Sequence, residues 1–538
     1  MDMQYDMLNA RHIVLYGRNV FEALQVKEAN DILDAIGRGA KLTYIDIRAT
    51  VTASKANRFY KIRPGTDYAL SLALINVILN ARLYDKAFAD KWITGLRELI
   101  EFTTPYTPEW AERETGIAAP EIVRLAHEVS SAAPRVVFHA GWMVARYIDS
   151  FYSARAIYIL NALMGNIERE GGLIIAKGEE DCGYAQLNSI TNLIPEPAGE
   201  ILDASGSTCY GSGHLVNLYN AISTGKPYPV KAWFAYRYDP ILSLPDPDRQ
   251  RAILDNLDLL VSIDVNMSDT GWYADVVLPE ATYLERSNII ALQRGIQPAL
   301  LMRRQGIAPL YDSKPAWEIF TLILEKMGCP LPFKSIEDIW EYQLRGTGIN
   351  IKDFDSTGIV TLSNGPVLCN SDEIKFITQS GKVEIISMEL QAMGHESLKP
   401  YVSPIHPEAG TYRLVTGRSA VHTQGQSQNN LYLNEIEPEN ILWIHDENAH
   451  GIKTGDMVEV SSNGASAAIC AYATPFIHPE AVFMLHGFGN EIPIKTRAFG
   501  RGVKASQLQR GMLDRVDSVG GGVAYFDTVV KVKRLESQ

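Results

Sequence analysis

The fold is decided by residues 12–50, HIVLYGRNVFEALQVKEANDILDAIGRGAKLTYIDIRAT. The runs 12–16 and 42–45 are short, apolar and rich in β-branched side chains, which is typical of buried strands. Residues 22–36 lie between them and place apolar side chains at helical spacing. The members of this apolar face are Ala23, Leu24, Ala29, Ile32, Leu33 and Ile36. We therefore predict a strand, a helix and a second strand parallel to the first.

The alternation of strands and helices continues along the chain. We predict an amphipathic helix near 67–83, further helices to about residue 130 and a strand at 135–141, and the simplest architecture is then a doubly wound parallel α/β sheet. Apolar runs in 230–237 and 257–264 predict strands of a second α/β unit. From Tyr412 onward, short strands broken by Gly, Pro and Asn indicate a closed β-barrel of a double-psi-like kind.

A chain of 538 residues is too long for one hydrophobic core, since domains usually hold roughly 100–200 residues. The change in texture along the sequence predicts four units. They are a Rossmann-like nucleotide-binding domain at 1–150, a second α/β domain at 151–335, a connector at 336–405 and the C-terminal barrel at 406–538.

Composition and charge exclude several function classes. The net charge of −13 would repel a phosphate backbone, and we expect no nucleic-acid partner. No apolar stretch without charge reaches the roughly 20 residues that cross a bilayer. The cysteines are far apart and form no CxxC pair, so neither a zinc site nor an iron–sulfur site is indicated. They are Cys182, Cys209, Cys329, Cys369 and Cys470.

The turn after the first strand, from Gly17 to Asn19, is a candidate nucleotide site. In a doubly wound sheet, ligands lie beyond the carboxyl ends of the strands, where glycine lets a phosphate approach the backbone. Asp46 ends the next strand and could accept hydrogen bonds from ribose hydroxyls, with Arg48 beside it for a phosphate. The turn lacks the GxGxxG pattern, which argues against a nicotinamide cofactor. The alternative is a βαβ unit that binds nothing.

A second candidate site is the tight turn Arg63-Pro64-Gly65-Thr66-Asp67. A carboxylate fixed beyond such a turn could accept from two adjacent N–H donors, which guanine offers and adenine does not. An equally natural interpretation is that Asp67 or Thr66 is the N-cap of the following helix.

Several sequence blocks recur in the order of one known family. The chain resembles the molybdopterin oxidoreductases of the dimethyl sulfoxide reductase superfamily, and within it the catalytic subunits of thiosulfate and polysulfide reductases. The resemblance spans nearly the whole chain, and the joint occurrence of the blocks is more specific than any single one. The blocks are GRNVFE (17–22), IDIRATVTASKANRFYKIRPGTDYAL (45–70), LNALMGNIEREGGL (160–173), ADVVLPEATYLER (274–286), LVTGRSAVHTQGQSQNN (414–430) and LHGFGNE (485–491).

The resemblance implies a molybdenum bis(molybdopterin guanine dinucleotide) cofactor and makes 151–335 the C-terminal half of a discontinuous domain. Matching positions then take roles in binding that cofactor. They are Gly17, Asn19 and Glu22 at a pyrophosphate turn, Asp46 and Arg48 at the ribose and nearby phosphate, Gly65 and Asp67 at the guanine, Thr416, Gly417, Arg418, His422 and Thr423 at the pterins, and Asn490, Asp517 and Gly520 in the C-terminal loop.

The resemblance also places residues 139–155, HAGWMVARYIDSFYSAR, near the substrate. A buried arginine there could hold an anionic sulfur compound or oxyanion by a charge-assisted contact. Arg146 is the preferred candidate and His139 a second one, and Trp142 and Arg155 belong to the same segment. The alternative is that these arginines pair with Asp149 or with a cofactor phosphate.

The block LPEATYLER, residues 278–286, is predicted to be structural. Pro279 cannot donate a hydrogen bond to a neighbouring strand and would end the strand before it. Glu280 or Glu285 would then cap or pair with a nearby group.

Members of the family carry an iron–sulfur cysteine cluster, followed by a Cys, selenocysteine or Ser that binds molybdenum, before the region where this sequence begins. We therefore expect the iron–sulfur cluster and the metal ligand to come from a missing N-terminal segment or a split partner chain. The resemblance further implies an iron–sulfur electron-transfer subunit, a membrane anchor subunit and a small inorganic substrate. The alternatives are a structural subunit that keeps the fold without the metal, and a dehydrogenase of another kind.

Overall fold

The computed structural model describes residues 3–22, 25–194, 215–369, 373–494 and 496–536. The helices are α1 (Val26–Gly37), α2 (Val51–Lys55), α3 (Asp67–Asn80), α4 (Lys86–Trp92), α5 (Leu96–Thr103), α6 (Pro108–Thr115), α7 (Ala119–Ala132), α8 (Ser150–Leu163), α9 (Leu215–Thr224), α10 (Pro240–Ser243), α11 (Pro247–Leu254), α12 (Asp269–Tyr273), α13 (Ala316–Lys326), α14 (Ile336–Leu344), α15 (Met388–Ala392) and α16 (Leu431–Ile436).

The strands are interspersed with these helices up to α14 and dominate the C-terminal part. They are β1 (Met3–Tyr5), β2 (His12–Tyr16), β3 (Lys41–Asp46), β4 (Arg58–Lys61), β5 (Ile93–Thr94), β6 (Val136–Ala140), β7 (Leu173–Ile175), β8 (Ala232–Tyr236), β9 (Leu259–Asp264), β10 (Val276–Pro279), β11 (Ala291–Gln293), β12 (Ala299–Leu301), β13 (Ile359–Thr361), β14 (Val383–Glu384), β15 (Thr411–Gly417), β16 (Leu442–Ile444), β17 (Met457–Ser462), β18 (Ala465–Ala473), β19 (Ala481–Leu485) and β20 (Val529–Arg534).

The first sheet has the order β4-β3-β2-β6 with every pair parallel. Strand β2 is buried along its whole length because helices cover both faces of the sheet. Helices α3 and α8 pack on one face, with Val14 and Tyr16 of β2 in their core. Helix α1 packs on the other face, with Ile13 and Leu15. This confirms the predicted βαβ unit and the doubly wound arrangement.

Helix α1 begins at Val26, later than predicted, because Val20–Glu22 form a separate 3₁₀ turn. The predicted positions Ala23 and Leu24 lie outside the described residues. Ile32 is fully buried, whereas Leu33 is 43% exposed. The prediction that Leu33 belongs to the buried face is therefore wrong, because its position around the helix turns it toward solvent.

A second parallel sheet has the order β10-β9-β8. Helices α10, α11 and α12 follow its strands, so the carboxyl ends of β8 and β9 lead into short loops on one side of the sheet. The predicted strands in 230–237 and 257–264 are confirmed. A small antiparallel sheet, β11-β12-β13, packs with α14 around a separate core.

The C-terminal part is a closed barrel of the strands β15-β19-β16-β18-β17-β20. Its interior is filled by alternating apolar side chains such as Leu414, Val458 and Val482. Strand β15 pairs in parallel with β19 and antiparallel with β20. The predicted α/β class with a C-terminal closed barrel is confirmed. Among the described residues, no helix is both long enough and apolar enough to span a bilayer.

Candidate functional site

The glycine turn after β2 is held rigidly at the edge of the first sheet. Gly17 has φ +54°, and a Cβ added there would lie 2.7 Å from the Cβ of Met143. Asn19 Nδ2 donates to Glu22 Oε2 at 2.5 Å, and Asn19 Oδ1 accepts from Thr52 Oγ1 at 2.9 Å. A side chain at position 17 is excluded by both the backbone angle and the close contact.

Asp46 and Arg48 stand at the carboxyl end of β3. Asp46 is buried and accepts from the Tyr44 hydroxyl and from the Ile47 amide, the latter at 2.6 Å. Burial raises the pKa of Asp46 above its ordinary value. The Arg48 guanidinium lies 3.9 Å from the ring centre of Phe483 on β19. Arg48 therefore connects the first sheet to the barrel.

The turn before α3 has the predicted shape. Gly65 has φ +82°, and Thr66 stands at the N-cap, where its hydroxyl donates to the Arg63 carbonyl at 2.7 Å instead of accepting from the helix. Asp67 is the first residue of α3 and is buried. Within the described ranges, no other residue donates a hydrogen bond to its carboxylate. Burial first, and repulsion by Asp46 second, raise the pKa of Asp67 to about 7.

The loop after β15 leaves the barrel at the edge where β15 meets β19. Thr416, Gly417 and Arg418 face the cavity described below. The His422 ring is instead bound inside its own loop, with Nδ1 3.1 Å from the Ser427 hydroxyl and Nε2 2.9 Å from a main-chain carbonyl. The Thr423 amide donates to the same hydroxyl at 2.8 Å. His422 and Thr423 therefore stabilise the conformation of the loop and do not line the cavity.

The C-terminal loop contains three of the predicted residues. Asn490 faces the cavity, and its Oδ1 accepts from the Ile492 amide at 3.1 Å. Asp517 is buried and accepts from the Phe151 amide at 3.0 Å and from the Gly520 amide at 2.5 Å. Asp517 thus binds an otherwise unsatisfied amide in the first turn of α8.

Arg146 and His139 have different surroundings. Arg146 ends the 3₁₀ turn Trp142–Arg146, and its guanidinium lies 5.2 Å from the ring centre of Tyr525. His139 is buried on β6 and stacks on Tyr5 at 4.2 Å. Burial lowers the pKa of His139 to about 4.

The sequence left open whether Arg146 and Arg155 pair with Asp149, and the structure gives Asp149 and Arg155 other partners. Arg155 donates to the carbonyls of Ser397 and Glu384, at 2.5 and 2.8 Å, and so holds the connector against α8. Asp149 pairs with Lys399 at 2.6 Å and with neither arginine.

One cavity of about 660 Å³ lies between the two parallel sheets and the barrel. Many of the predicted site residues converge on it from distant parts of the sequence. Those that line it are Gly17, Asn19, Glu22, Asp46, Arg48, Arg146, Thr416, Gly417, Arg418 and Asn490. Those that do not line it are Gly65, Asp67, His139, His422, Thr423, Asp517 and Gly520.

The opposite wall of this cavity was not predicted from the sequence. That wall is built at the carboxyl ends of β8 and β9, where Arg237, Asp239, Asp264 and Asn266 face inward. The signal was present, because polar residues that follow two parallel strands meet at one edge of a sheet. His486, just after β19, was also missed as a site residue although it lies inside the quoted block LHGFGNE.

The predicted structural role of LPEATYLER is confirmed. Strand β10 ends at Pro279, and the Glu280 side chain is completely buried between two arginines. Arg237 Nε donates to it at 2.5 Å, and Arg286 Nη1 lies 2.6 Å from it. Glu285 accepts from Thr282 and Leu310 amides, at 2.8 and 2.9 Å. Glu280 therefore fixes Arg237 on the cavity wall.

Acidic and basic side chains both line the cavity, but three of its arginines form no close ion pair with a described residue. The charges of Arg18 and Arg146 add to burial in lowering the pKa of Arg418. In the described part of the chain, no carboxylate oxygen lies within 4.0 Å of Arg48, Arg146 or Arg418. Like charges held together in a partly desolvated cavity repel, and a bound anion would relieve that repulsion.

The residues present fit a cofactor that carries pyrophosphate groups. Arg18 is buried at the cavity wall, paired with Glu28, and its Nε has no hydrogen-bond partner among the described residues. Glycines at positions 17, 417, 425 and 487 line the cavity, where the lack of a side chain lets a phosphate approach the main chain, and guanidinium groups bind phosphate oxygens well. Among the described residues, no group of three or more His, Cys, Asp or Glu side chains is placed to hold a metal ion.

A fold of two parallel sheets and a closed barrel around a cationic cavity is that of a protein that binds a large anionic cofactor. The family Molybdopterin oxidoreductase matches residues 3–326, and the family Molydopterin dinucleotide binding domain matches residues 412–528, which cover most of the barrel. The chain belongs to the molybdopterin oxidoreductase family, as the sequence resemblance predicted.

The similar proteins share this family and differ in their substrates. The molybdopterin-containing subunit PhsA of thiosulfate reductase from Salmonella typhimurium is 30% identical, covering 94% of this chain and 72% of that protein. Acetylene hydratase from Syntrophotalea acetylenica is 26% identical, covering 84% of this chain and 67% of that protein. The F420-dependent formate dehydrogenase subunit alpha of Methanocaldococcus jannaschii is 27% identical, covering 88% and 71%.

The solved structure of acetylene hydratase from Pelobacter acetylenicus has the same fold. It superimposes with a TM-score of 0.86 at 23% sequence identity, covering 99% of this chain and 79% of that one. The likeness therefore extends over both parallel sheets and the barrel.

Proposed function

We propose that this chain binds molybdenum as the bis(molybdopterin guanine dinucleotide) and acts on small inorganic sulfur anions such as thiosulfate or polysulfide. The observation that carries the proposal is the cavity whose guanidinium groups, Arg48, Arg146 and Arg418, have no carboxylate within 4.0 Å among the described residues. An anionic cofactor and an anionic substrate both provide the missing negative charge, whereas an uncharged substrate such as acetylene provides none.

The residues that would hold the cofactor stand on two walls of the cavity. On one wall, Gly17 and Asn19 present a rigid turn to a pyrophosphate, and Asp46 accepts from a ribose. On the other wall, Arg237 is fixed by Glu280 and offers a second cationic group. Two dinucleotides require two phosphate-binding sites, and these two walls of the cavity would provide one each.

Asp67 supports guanine as the base. Its carboxylate is buried without a donor from another described residue, and guanine offers two adjacent N–H groups. Asp67 does not line the cavity, so guanine can reach it only when the side chains that now cover it move. The Tyr147 ring packs on the turn just before Asp67, since it would lie 3.3 Å from a Cβ at Gly65.

When bound, molybdenum supplies the two-electron redox chemistry, and the protein supplies orientation and electrostatics. Arg146 would hold a sulfur anion at the end of the 3₁₀ turn Trp142–Arg146, with its direction set by the Tyr525 ring. Electrons would pass to or from an iron–sulfur subunit and a membrane anchor. Support for partners comes from the relatives, which are named as subunits.

The direct test is the composition and activity of the purified protein with its natural partners. We expect molybdenum, pterin and GMP after acid hydrolysis, together with reduction of thiosulfate, polysulfide or tetrathionate by a reduced dye. Absence of metal and pterin would instead support a structural subunit. Cofactor-loaded protein that oxidises formate and leaves the sulfur anions unchanged would contradict the proposed substrate class.

Replacement of Arg146 by glutamine should raise the KM for thiosulfate at least about tenfold, because a charge-assisted hydrogen bond contributes roughly 1.5–3 kcal/mol. Steady-state kinetics of the assembled enzyme measure this. The control is Arg97→Gln, which removes an exposed arginine whose partner is Glu101 on the surface of α5. Unchanged KM in the Arg146 variant would remove Arg146 from the substrate site.

A further inference from the structure

His486 and Arg418 leave the barrel side by side. Arg418 follows β15 directly and His486 follows β19 directly, and the two strands are parallel with Gly417 opposite Leu485. The His486 amide donates to the Gly417 carbonyl at 3.2 Å. Because the carboxyl ends of the two strands meet at one edge, both side chains line the same part of the cavity.

Arg146 lines the same cavity, but it comes from the first parallel sheet and not from the barrel. It ends the 3₁₀ turn that follows β6, where its guanidinium lies against the ring of Tyr525. Its charge lowers the pKa of both Arg418 and His486, after the larger effect of burial on each. Three groups from the first sheet and the barrel therefore converge on one region of the cavity.

These three groups have no ionic or hydrogen-bonding partner for their polar ends among the described residues, although Arg146 also lies against the Tyr525 ring. Within the described ranges, no carboxylate lies within 4.0 Å of Arg146 or Arg418, and no group forms a hydrogen bond with the ring of His486. The ring is partly exposed, and it faces the cavity. The convergence of two positive charges is relieved by an anion bound between them.

The imidazole differs from the two arginines in its hydrogen-bonding capacity. Burial and the two neighbouring cations lower the pKa of His486 to about 4, so the ring is neutral at pH 7. A neutral imidazole has one N–H donor and one nitrogen acceptor, whereas guanidinium only donates. His486 is thus the member of the group that can also accept a hydrogen bond from an S–H or O–H group.

We propose that His486 completes, with Arg146 and Arg418, the binding site for a small sulfur anion, donating to an oxyanion oxygen or accepting from a protonated sulfur. The assignment to substrate rests on the proposed function. The same chemistry would suit a phosphate of the cofactor, and the test below distinguishes these two sources.

The test is calorimetric titration of the purified full chain with sodium thiosulfate alone and, separately, with inorganic pyrophosphate. His486→Phe keeps a ring of similar size and removes both hydrogen-bonding nitrogens. We expect the His486→Phe variant to have a Kd for thiosulfate about fivefold higher than wild type, because loss of one neutral hydrogen bond changes a dissociation constant by about this factor. Its Kd for pyrophosphate should stay within about twofold of the wild-type value. His486→Gln should restore binding to within about twofold, because the amide keeps a donor and an acceptor.

Three outcomes would overturn the inference. They are a wild-type chain that does not bind thiosulfate, a His486→Phe variant that binds it as well as wild type, and a variant weakened only for pyrophosphate, which would assign His486 to the cofactor. Circular dichroism melts of each variant detect unfolding, and failure of the glutamine variant to restore binding would count against the hydrogen-bonding role. Molybdenum content and reductase activity are measured separately, so loss of the proposed function is distinguishable from loss of this site.

Discussion

Replacing Asp67 with asparagine should stabilise the cofactor-free chain at pH 8 by roughly 2–4 kcal/mol, although it removes a native carboxylate. The pKa of Asp67 is raised to about 7 from an ordinary value of 3.8, by burial and by Asp46. The unfolded chain therefore ionises this group first, and the folded state loses stability as pH rises from about 4 to 7. Asparagine does not ionise, so the stability that the variant gains over wild type should be nearly absent at pH 4 and fully present at pH 8.

Urea denaturation of the cofactor-free wild type and variant at pH 4, 6 and 8 measures this effect. Asp90→Asn is a matched control, since Asp90 is an exposed residue of α4 that pairs with Lys86 one turn away, and its effect should stay below about 0.5 kcal/mol. A stability difference between wild type and the Asp67 variant that does not change with pH would contradict the raised pKa.

The same substitution should weaken retention of the guanine dinucleotide at least about tenfold. Asparagine offers one oxygen and a competing N–H₂ group where guanine requires two acceptors, so one buried N–H group is left without a partner. Quantifying GMP released from purified protein measures this loss. A more stable apoprotein that binds less cofactor is the pattern expected of a residue placed for binding. Wild-type GMP content in the variant would exclude Asp67 from the guanine site.

Replacing Glu280 with alanine should lower the free energy of unfolding by about 3–5 kcal/mol. Glu280 is fully buried and binds Arg237, Arg286 and the Tyr236 hydroxyl, the last at 3.0 Å. Its removal leaves the buried guanidinium of Arg286 without its carboxylate, and that uncompensated charge dominates the cost. Because Arg237 lines the cavity, its anchor is lost at the same time.

Hydrogen–deuterium exchange of β8, β9 and β10, together with urea denaturation, measures the Glu280 effect. The control is Glu318→Ala, because Glu318 pairs with Lys314 on the surface of α13 and should contribute less than about 0.5 kcal/mol. Equal protection of the second sheet in wild type and Glu280→Ala would show that the buried ion pairs do not stabilise it.

Most of the fold could be predicted because local patterns and global packing agree. The apolar run of β2 reflects burial on both faces of the sheet and is visible in the sequence. The helix predicted near 67–83 is present as α3, but its predicted amphipathic character is wrong, because α3 is buried on all sides from Asp67 to Leu79. Strands β16 and β20 of the barrel were not predicted, although β20, VVKVKR, alternates β-branched and basic residues as a half-buried strand does. What only the fold decides is their neighbours, since β16 pairs with β18 and β19, and β20 pairs with β15 and β17.

The site was predicted on one side only. Gly17, Asp46 and Arg418 stand in blocks whose chemistry is readable along the chain, and all line the cavity. Arg237 was not predicted, because its role depends on Glu280, which is 43 residues away in sequence. His422 carries the expected residue type, but its ring nitrogens are occupied within its own loop. Which polar groups remain without partners is a property of the folded chain.

The sequence by itself determined the α/β and barrel classes, the family and the polar turns at the carboxyl ends of β2 and β3. These depend on side-chain periodicity and turn chemistry, which are local. Only the tertiary structure decided that Arg146, Arg418 and His486 share one region of a cavity, and that Asp67 is buried without a donor from another described residue. The physical reason is that burial and charge proximity are set by segments hundreds of residues apart, and the pKa and binding capacity of a group follow from its surroundings.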